Sequence, residues 1–228
     1  HQLIDRAKNY QVTAIAITDH DTTKGYVDVK EYALTQGIQL YAGAEISCDW
    51  QGHTIHIVAL DFDVNNSPLQ AGLEQIRQLR WQRANTILEK LAKRPNFQNH
   101  DLPALLQQQV GEGVVGRGHF AQLLIELGYV KNSQQAFDKY LKKGRVGFAP
   151  CLWPDLSVVV KWIIEAGGIA VIAHPGLYKF TSRKLNKMIE VGTELDSEFN
   201  NCTYYNFMTH KDFTKDDFYD ADHLSPTG

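Results

Sequence analysis

The sequence predicts an α/β fold whose strands carry metal-ligating side chains to a common edge. Three observations lead there. Amphipathic helical stretches are followed by a glycine or a short turn and then by a short apolar, β-rich run. The apolar run Ala14 to Ile17 breaks into Asp19-His20-Asp21, and the run Ile169 to Ala173 breaks into His174-Pro175. Between them, Glu45 and His56 stand in or just after two further runs of the same kind.

A chain of 228 residues with 43% hydrophobic and 21% charged content can build one large domain or two small ones. The formal charge of -3 excludes a global basic field, so any phosphate binding has to be local. Cys48, Cys151 and Cys202 lack CxxC spacing, which excludes a disulfide framework and a cysteine zinc site and fits a reducing compartment. No apolar run reaches the roughly 20 residues of a membrane helix, and no basic segment followed by an apolar one opens the chain. The expected location is cytoplasmic, with no membrane partner.

Leu3, Ile4 and Ala7 give the segment Gln2 to Tyr10 a helical spacing, and the first strand follows from Val12. Gly25 to Gln36 reads as a second helix, stopped by Gly37. Ile38 to Ala42 is a short strand, with Glu45 expected just beyond its end. In the strand Thr54 to Leu60 the period of two puts His56 on the face of Val58 and Leu60. Leu69 to Leu91 is a long amphipathic helix, and Arg77, Arg80 and Arg83 recur every three residues along one side. That side is either a solvated basic face or a clamp for phosphate. Arg117 and His119 stand at the start of a helix running to Ile125, where unsatisfied N–H groups favour an anion. Ser133 to Leu141 is another helix, Lys142 to Arg145 a basic turn, and Asp155 to Ala166 a helix ended by Gly167-Gly168. Ile169 to Ala173, like the first strand, is expected to be buried on both faces.

Imidazole and carboxylate donors without thiolates suit borderline to hard divalent metals and hydrolytic chemistry. The segments Ala16 to Thr23, Gly43-Ala44-Glu45-Ile46-Ser47, His56-Ile57-Val58, Gly116-Arg117-Gly118-His119-Phe120 and Ala166 to Pro175 occur in an order that resembles the polymerase and histidinol phosphatase (PHP) superfamily. Within it they are most similar to the bacterial nucleoside 3′,5′-bisphosphate phosphatases and 5′-3′ exoribonucleases. The resemblance covers residues 1 to 189. It implies a distorted (β/α)7 barrel, incomplete at its N-terminus, with a helical insertion. The implied parts are 1–79 (first barrel part), 80–150 (insertion covering the substrate), 151–189 (return to the barrel) and an unassigned tail, 190–228. His20, Glu45, His56 and His174 are the implied metal ligands, with Glu45 bridging, and Asp19, His20 and Glu45 the implied catalytic group. Arg83 and Arg117 are the implied phosphate-gripping residues, and Arg80 and His119, from their places on the same helices, are expected to join them in substrate binding. The implied cofactors are up to three divalent ions, Mn first and Zn or Fe next.

The implied reaction is attack on phosphorus by metal-bound hydroxide. It releases phosphate from a nucleoside bisphosphate or a 5′-mononucleotide from a short single-stranded RNA; double-stranded DNA is not an expected partner. A phosphatase of the histidinol phosphate type and an inactive fragment are the alternatives. The family's opening His-x-His motif would precede Gln2. Its closing Asp-x-His has no counterpart of the right spacing, since Asp220 stands three residues before His223. That late block looks instead like the Asp-x-x-His of serine esterases, but the chain has no Gly-Asp-Ser nucleophile motif to accompany it.

Overall fold

The computed structural model describes residues 1–178, 180–188 and 190, and the late Asp220 to His223 block lies outside them. The chain forms two compact units: residues 1–72 with those from 154 onward, and residues 73–153. The division falls between Gly72 and Leu73, inside one long helix, a few residues before the expected boundary at 79/80.

The first unit contains α1 (Gln2–Asn9), β1 (Ala14–Ala16), α2 (Lys24–Thr35), β2 (Gln39–Tyr41), β3 (Gly43–Trp50) and β4 (His53–Leu60). Gly37, at φ +74°, ends α2 in the left-handed conformation that a side chain would strain. Strands β1 and β2 pair in parallel, as a strand–helix–strand crossover requires. Ile4, Ala7, Ala33 and Ile38 form the small core between the helices and this pair. Gly52, at φ +75°, turns β3 into β4, and the two strands run antiparallel over their whole length.

After the helical unit the chain returns through α7 (Leu156–Glu165) and β5 (Ile169–Ile172), which adds antiparallel to β4. Alternation sends Ala44, Ile46 and Cys48 of β3 and Ile55, Ile57 and Ala59 of β4 into the core, where α7 packs with Val159 and Ile163. Asp155 caps α7 by accepting the Ser157 N–H at 2.9 Å. The opposite face of the sheet is left for Glu45, Ser47 and His56.

The fold is mixed α/β, and among the described residues its five strands form two sheets, β1-β2 and β3-β4-β5. Two expectations are corrected. Neither β1 nor β5 is buried on both faces: β1 is exposed to half-buried throughout, and Ile169 and Val171 are 54% and 39% exposed. Among the described residues β1 pairs only with β2 and β5 only with β4, and α7 packs against β5. Glu45, expected beyond a strand's end, is the third residue of an eight-residue strand, because Gly43 starts a new strand directly after β2.

The second unit contains most of α3 (Ser67–Ala92), then α4 (Leu102–Val110), α5 (Arg117–Glu126), α6 (Ser133–Ala136) and a π-helical turn, Phe137–Leu141. Its core gathers Ile87, Leu91, Phe97, Leu106, Phe120 and Leu124. Asp101 and Asn132 cap α4 and α6 through side-chain oxygens at 3.1 and 3.0 Å.

Candidate metal centre

The loop after β1 is drawn against β3 by a close backbone approach. A Cβ on Gly43 would stand 2.5 Å from the Ile17 carbonyl oxygen, so only glycine allows this contact. Two hydrogen bonds then fix the register: the Glu45 N–H donates to the Asp19 carbonyl at 3.0 Å, and the Asp21 N–H donates to the Glu45 carbonyl at 2.9 Å. His20 is thereby bridged to Glu45.

Glu45 and His56 meet through sheet register. Glu45 lies opposite Val58 and Ser47 opposite His56, so Glu45 and His56 are diagonal neighbours on one face. His174 follows β5, whose pairing with β4 continues as the Ala173 N–H donates to the His56 carbonyl at 3.0 Å. The outcome is a carboxylate ringed by three imidazoles. Glu45 Oε1 is 3.2 Å from His56 Nδ1 and 3.0 Å from His174 Nε2, and those two nitrogens are 3.1 Å apart. Glu45 Oε2 is 3.9 Å from His20 Nε2.

Burial pushes the Glu45 carboxyl up, but hydrogen bonds from His174 and His56 and the charges of His20 and His56 outweigh it. The carboxyl is held well below the usual carboxylate range. His20 is 44% exposed at its side chain, against about a fifth for the other three, so the group opens to solvent on the His20 side.

The donor set fits a divalent metal. Ligands of a common ion at roughly 2.0–2.2 Å stand about 3–3.5 Å from one another, and the Glu45, His56 and His174 donors already have that spacing. Donor atoms of His20, Glu45 and His56 all lie within 4.8 Å of one another. Backbone strain accompanies the site, as Asp21 and His174 adopt φ of +53° and +32°.

The Asp19 carboxylate lies against Gly25 in the first turn of α2, where a Cβ would come within 2.2 Å of Oδ2. Two residues with no role assigned from sequence support the site. Asp21 is fully buried, and its carboxylate accepts the Ser47 N–H at 2.7 Å and the Ser47 hydroxyl at 3.0 Å, tying the ligand loop to β3. Tyr178 accepts the His56 N–H at 2.9 Å and donates to the Ala173 carbonyl at 2.8 Å, bolting β4 to the segment that carries His174. Ser47 could have been found from sequence, being two residues from Glu45 on the same face. Tyr178 is 122 residues from His56 and carries no such signal.

In the helical unit, Arg80, Arg83 and Arg117 line one small hollow with Val115 and Gly116. Arg83 donates to the Ala149 carbonyl at 2.9 Å and Arg117 to the Leu141 carbonyl at 2.8 Å, while Arg80 donates to the Val115 carbonyl at 3.2 Å and lies over Trp153. Burial lowers the pKa of both Arg83 and Arg117, and for Arg83 the neighbouring Arg117 and Arg80 charges add to it. Arg77 is corrected out of this group: it pairs with Glu74 at 2.8 Å on the surface, because a spacing of three rotates steadily away from one face. His119 spends Nδ1 on the Gly116 N–H at 3.0 Å, closing the first turn of α5.

Fold and site together describe an α/β protein with a carboxylate–imidazole cluster able to hold a divalent metal and with a cluster of arginines in its helical unit. The chain belongs to the PHP domain family, which matches over residues 1–148. It is 38% identical over 82% of its length to a 5′-3′ exoribonuclease of Haemophilus influenzae. It is 36% identical over the same share to a 3′,5′-nucleoside bisphosphate phosphatase of Chromobacterium violaceum. The chain spans about two thirds of the length of these relatives, 67% and 65%. A solved structure from Bifidobacterium adolescentis, a candidate metal-dependent phosphoesterase, superposes with a TM-score of 0.72 at 25% identity, covering 84% of this chain and 68% of that one. Among the described residues no helix is long and apolar enough to cross a membrane.

Proposed function

We propose that this chain is a metal-dependent phosphoesterase that removes phosphate from nucleoside 3′,5′-bisphosphates and 5′-mononucleotides from short single-stranded RNA. The observation that carries this reading is the split use of Glu45, with one oxygen toward His56 and His174 and the other toward His20. Glu45, His20, His56 and His174 would hold the divalent metal, the carboxylate presenting an oxygen toward every one of the three imidazoles. The relatives' names, an exoribonuclease and a bisphosphate phosphatase, supply the substrate class.

Bound divalent ions, Mn among the candidates with Zn and Fe, would supply Lewis acidity toward a phosphoryl oxygen and ready ionisation of water near neutral pH. The chain's residues do the rest. Glu45 stays ionised, which keeps a negative charge where cations are to be held. Asp21 and Tyr178 hold the ligand-bearing backbones, and Asp19 contributes its carbonyl to the β3 register. Arg80, Arg83 and Arg117 bind phosphate, since a half-buried group of three guanidinium ions is stabilised by an anion with complementary oxygens. Net hydrolysis adds one water across the P–O ester bond, so the leaving oxygen departs with a proton as an alcohol.

Purified chain, stripped with chelator and reloaded with Mn, is assayed for phosphate release from adenosine 3′,5′-bisphosphate and for mononucleotide release from a 5′-phosphorylated ribo-oligonucleotide, with bound metal measured in parallel. Metal-dependent release is expected, with both metal content and release falling at least tenfold in His56→Ala. A chain that binds fewer than one metal, or releases neither product when loaded, refutes the reading.

A further inference from the structure

The helical unit carries a second basic hollow that the proposed hydrolysis does not use. It has a volume of about 430 Å³, within the size range of small-ligand sites, and shares no residue with the Arg80, Arg83 and Arg117 hollow. Arg94, Lys139 and Arg145 supply three cations from three separate segments, and no acidic side chain lines it. The nearby Asp138 is already engaged by Lys142 at 2.9 Å, while Arg94 and Lys139 make no ion pair among the described residues.

Tyr140 lines the same hollow as these cations, half-buried and in edge-on contact with the fully buried Phe97 at 5.7 Å. A rigid aromatic face among cations is the arrangement that holds single-stranded nucleic acid, with a base stacked on the ring and the flanking phosphates on the cations. The charge distribution points the same way. Residues 73–153 hold twelve Lys and Arg against six Asp and Glu, a net of +6 in a chain whose total is -3. A small bisphosphate cannot use so wide a field, whereas a polyanion can.

We infer that the Arg94–Lys139–Arg145 hollow binds a nucleotide of single-stranded RNA other than the one being hydrolysed, with Tyr140 as its stacking platform. This deepens the proposed function by giving the longer substrate a site of its own, and it rests on that reading only for the choice of RNA.

The test is fluorescence anisotropy of a labelled, 5′-phosphorylated single-stranded ribo-oligonucleotide with the full chain in excess chelator, where no hydrolysis occurs. The wild type is expected to bind. Arg94→Ala/Lys139→Ala is expected to bind at least tenfold more weakly, with a log K against log salt slope shallower by about 1.4, two phosphates at roughly 0.7 each. Tyr140→Leu, which keeps bulk but loses the π-face, is expected to lose about fivefold with the slope unchanged. Hydrolysis of adenosine 3′,5′-bisphosphate by metal-loaded samples is expected to match the wild type in both. No binding by the wild type, unchanged affinity in either variant, or an equal loss toward the bisphosphate overturns the inference. Failure of the wild type to hydrolyse either substrate, with these binding differences intact, refutes the proposed function and leaves the binding site standing.

Discussion

Asp21 is the residue on which the ligand loop depends most. Its carboxylate is fully buried, serves both donors of Ser47, and sits at a positive φ that a non-glycine residue adopts only when its surroundings hold it there. Asp21→Ala leaves the Ser47 donors unsatisfied, so it should cost about 2–4 kcal/mol, read as a lowered midpoint in urea unfolding with an unchanged m-value. Asp21→Asn keeps one acceptor and should recover part of the loss; equal stability of wild type and Asp21→Ala would show that the loop is held by something else. Arg83 makes a different kind of contribution. Removing it should leave the fold in place but raise KM for a bisphosphate about tenfold, roughly 1.4 kcal/mol of lost phosphate contact. Identical rates at subsaturating substrate would count against the clamp.

At the scale of elements, the site is made where β1's exit loop, β3, β4 and the segment after β5 come within hydrogen-bonding distance. Gly43 is the tightest of these junctions. Gly43→Ala must push β3 away from the Ile17 carbonyl, at a cost of about 1–3 kcal/mol, and should separate His20 from Glu45. The expected outcome is weaker metal binding by calorimetry together with a small loss in melting temperature. Undiminished metal affinity would mean that His20 is not positioned by this contact. Helices α2, α3 and α7 were all visible as elements, because apolar periodicity and the stops at Gly37, Pro95 and Gly167 are local signals. Strand β1 was visible too, as the apolar run that follows Val12, but β3 was not told apart from the end of β2, because a pleated run shows its breaks only through its partners.

For the whole molecule, the candidate metal centre lies in the unit formed by 1–72 and 154 onward, so an ion bound there would tie together segments far apart in sequence. An ion that binds the folded state alone stabilises it, by about 2.7 kcal/mol at a hundredfold excess over its Kd. Adding Mn to chelator-treated protein should therefore raise the melting temperature by several degrees, and a flat melting curve across the titration would sink the assignment. Acid should reverse the effect in two ways. Protons compete for the imidazole donors and weaken metal binding. In the metal-free protein the folded Glu45 carboxyl lies below its unfolded value, so its contribution is present at neutral pH and is lost as pH falls below the ordinary carboxylate range.

The amino-acid sequence by itself determined the chemistry available: which donors exist, that they are imidazoles and carboxylates without thiolates, and that His20 and His174 follow apolar runs in the order of the PHP family. Face within a strand was also legible, since a period of two puts His56 with Val58 and Leu60. Only the tertiary structure decided that Glu45 sits diagonal to His56, that the Ala173–His56 hydrogen bond brings His174 to the same oxygen, that Asp21 is a buried tie and that Tyr178 joins the two strands' ends. It also separated Arg80, Arg83 and Arg117 from Arg77. The physical reason is that helical periodicity and turn chemistry act between near neighbours, whereas strand register is set by hydrogen bonds between segments tens of residues apart, and no local pattern encodes which residue stands opposite which.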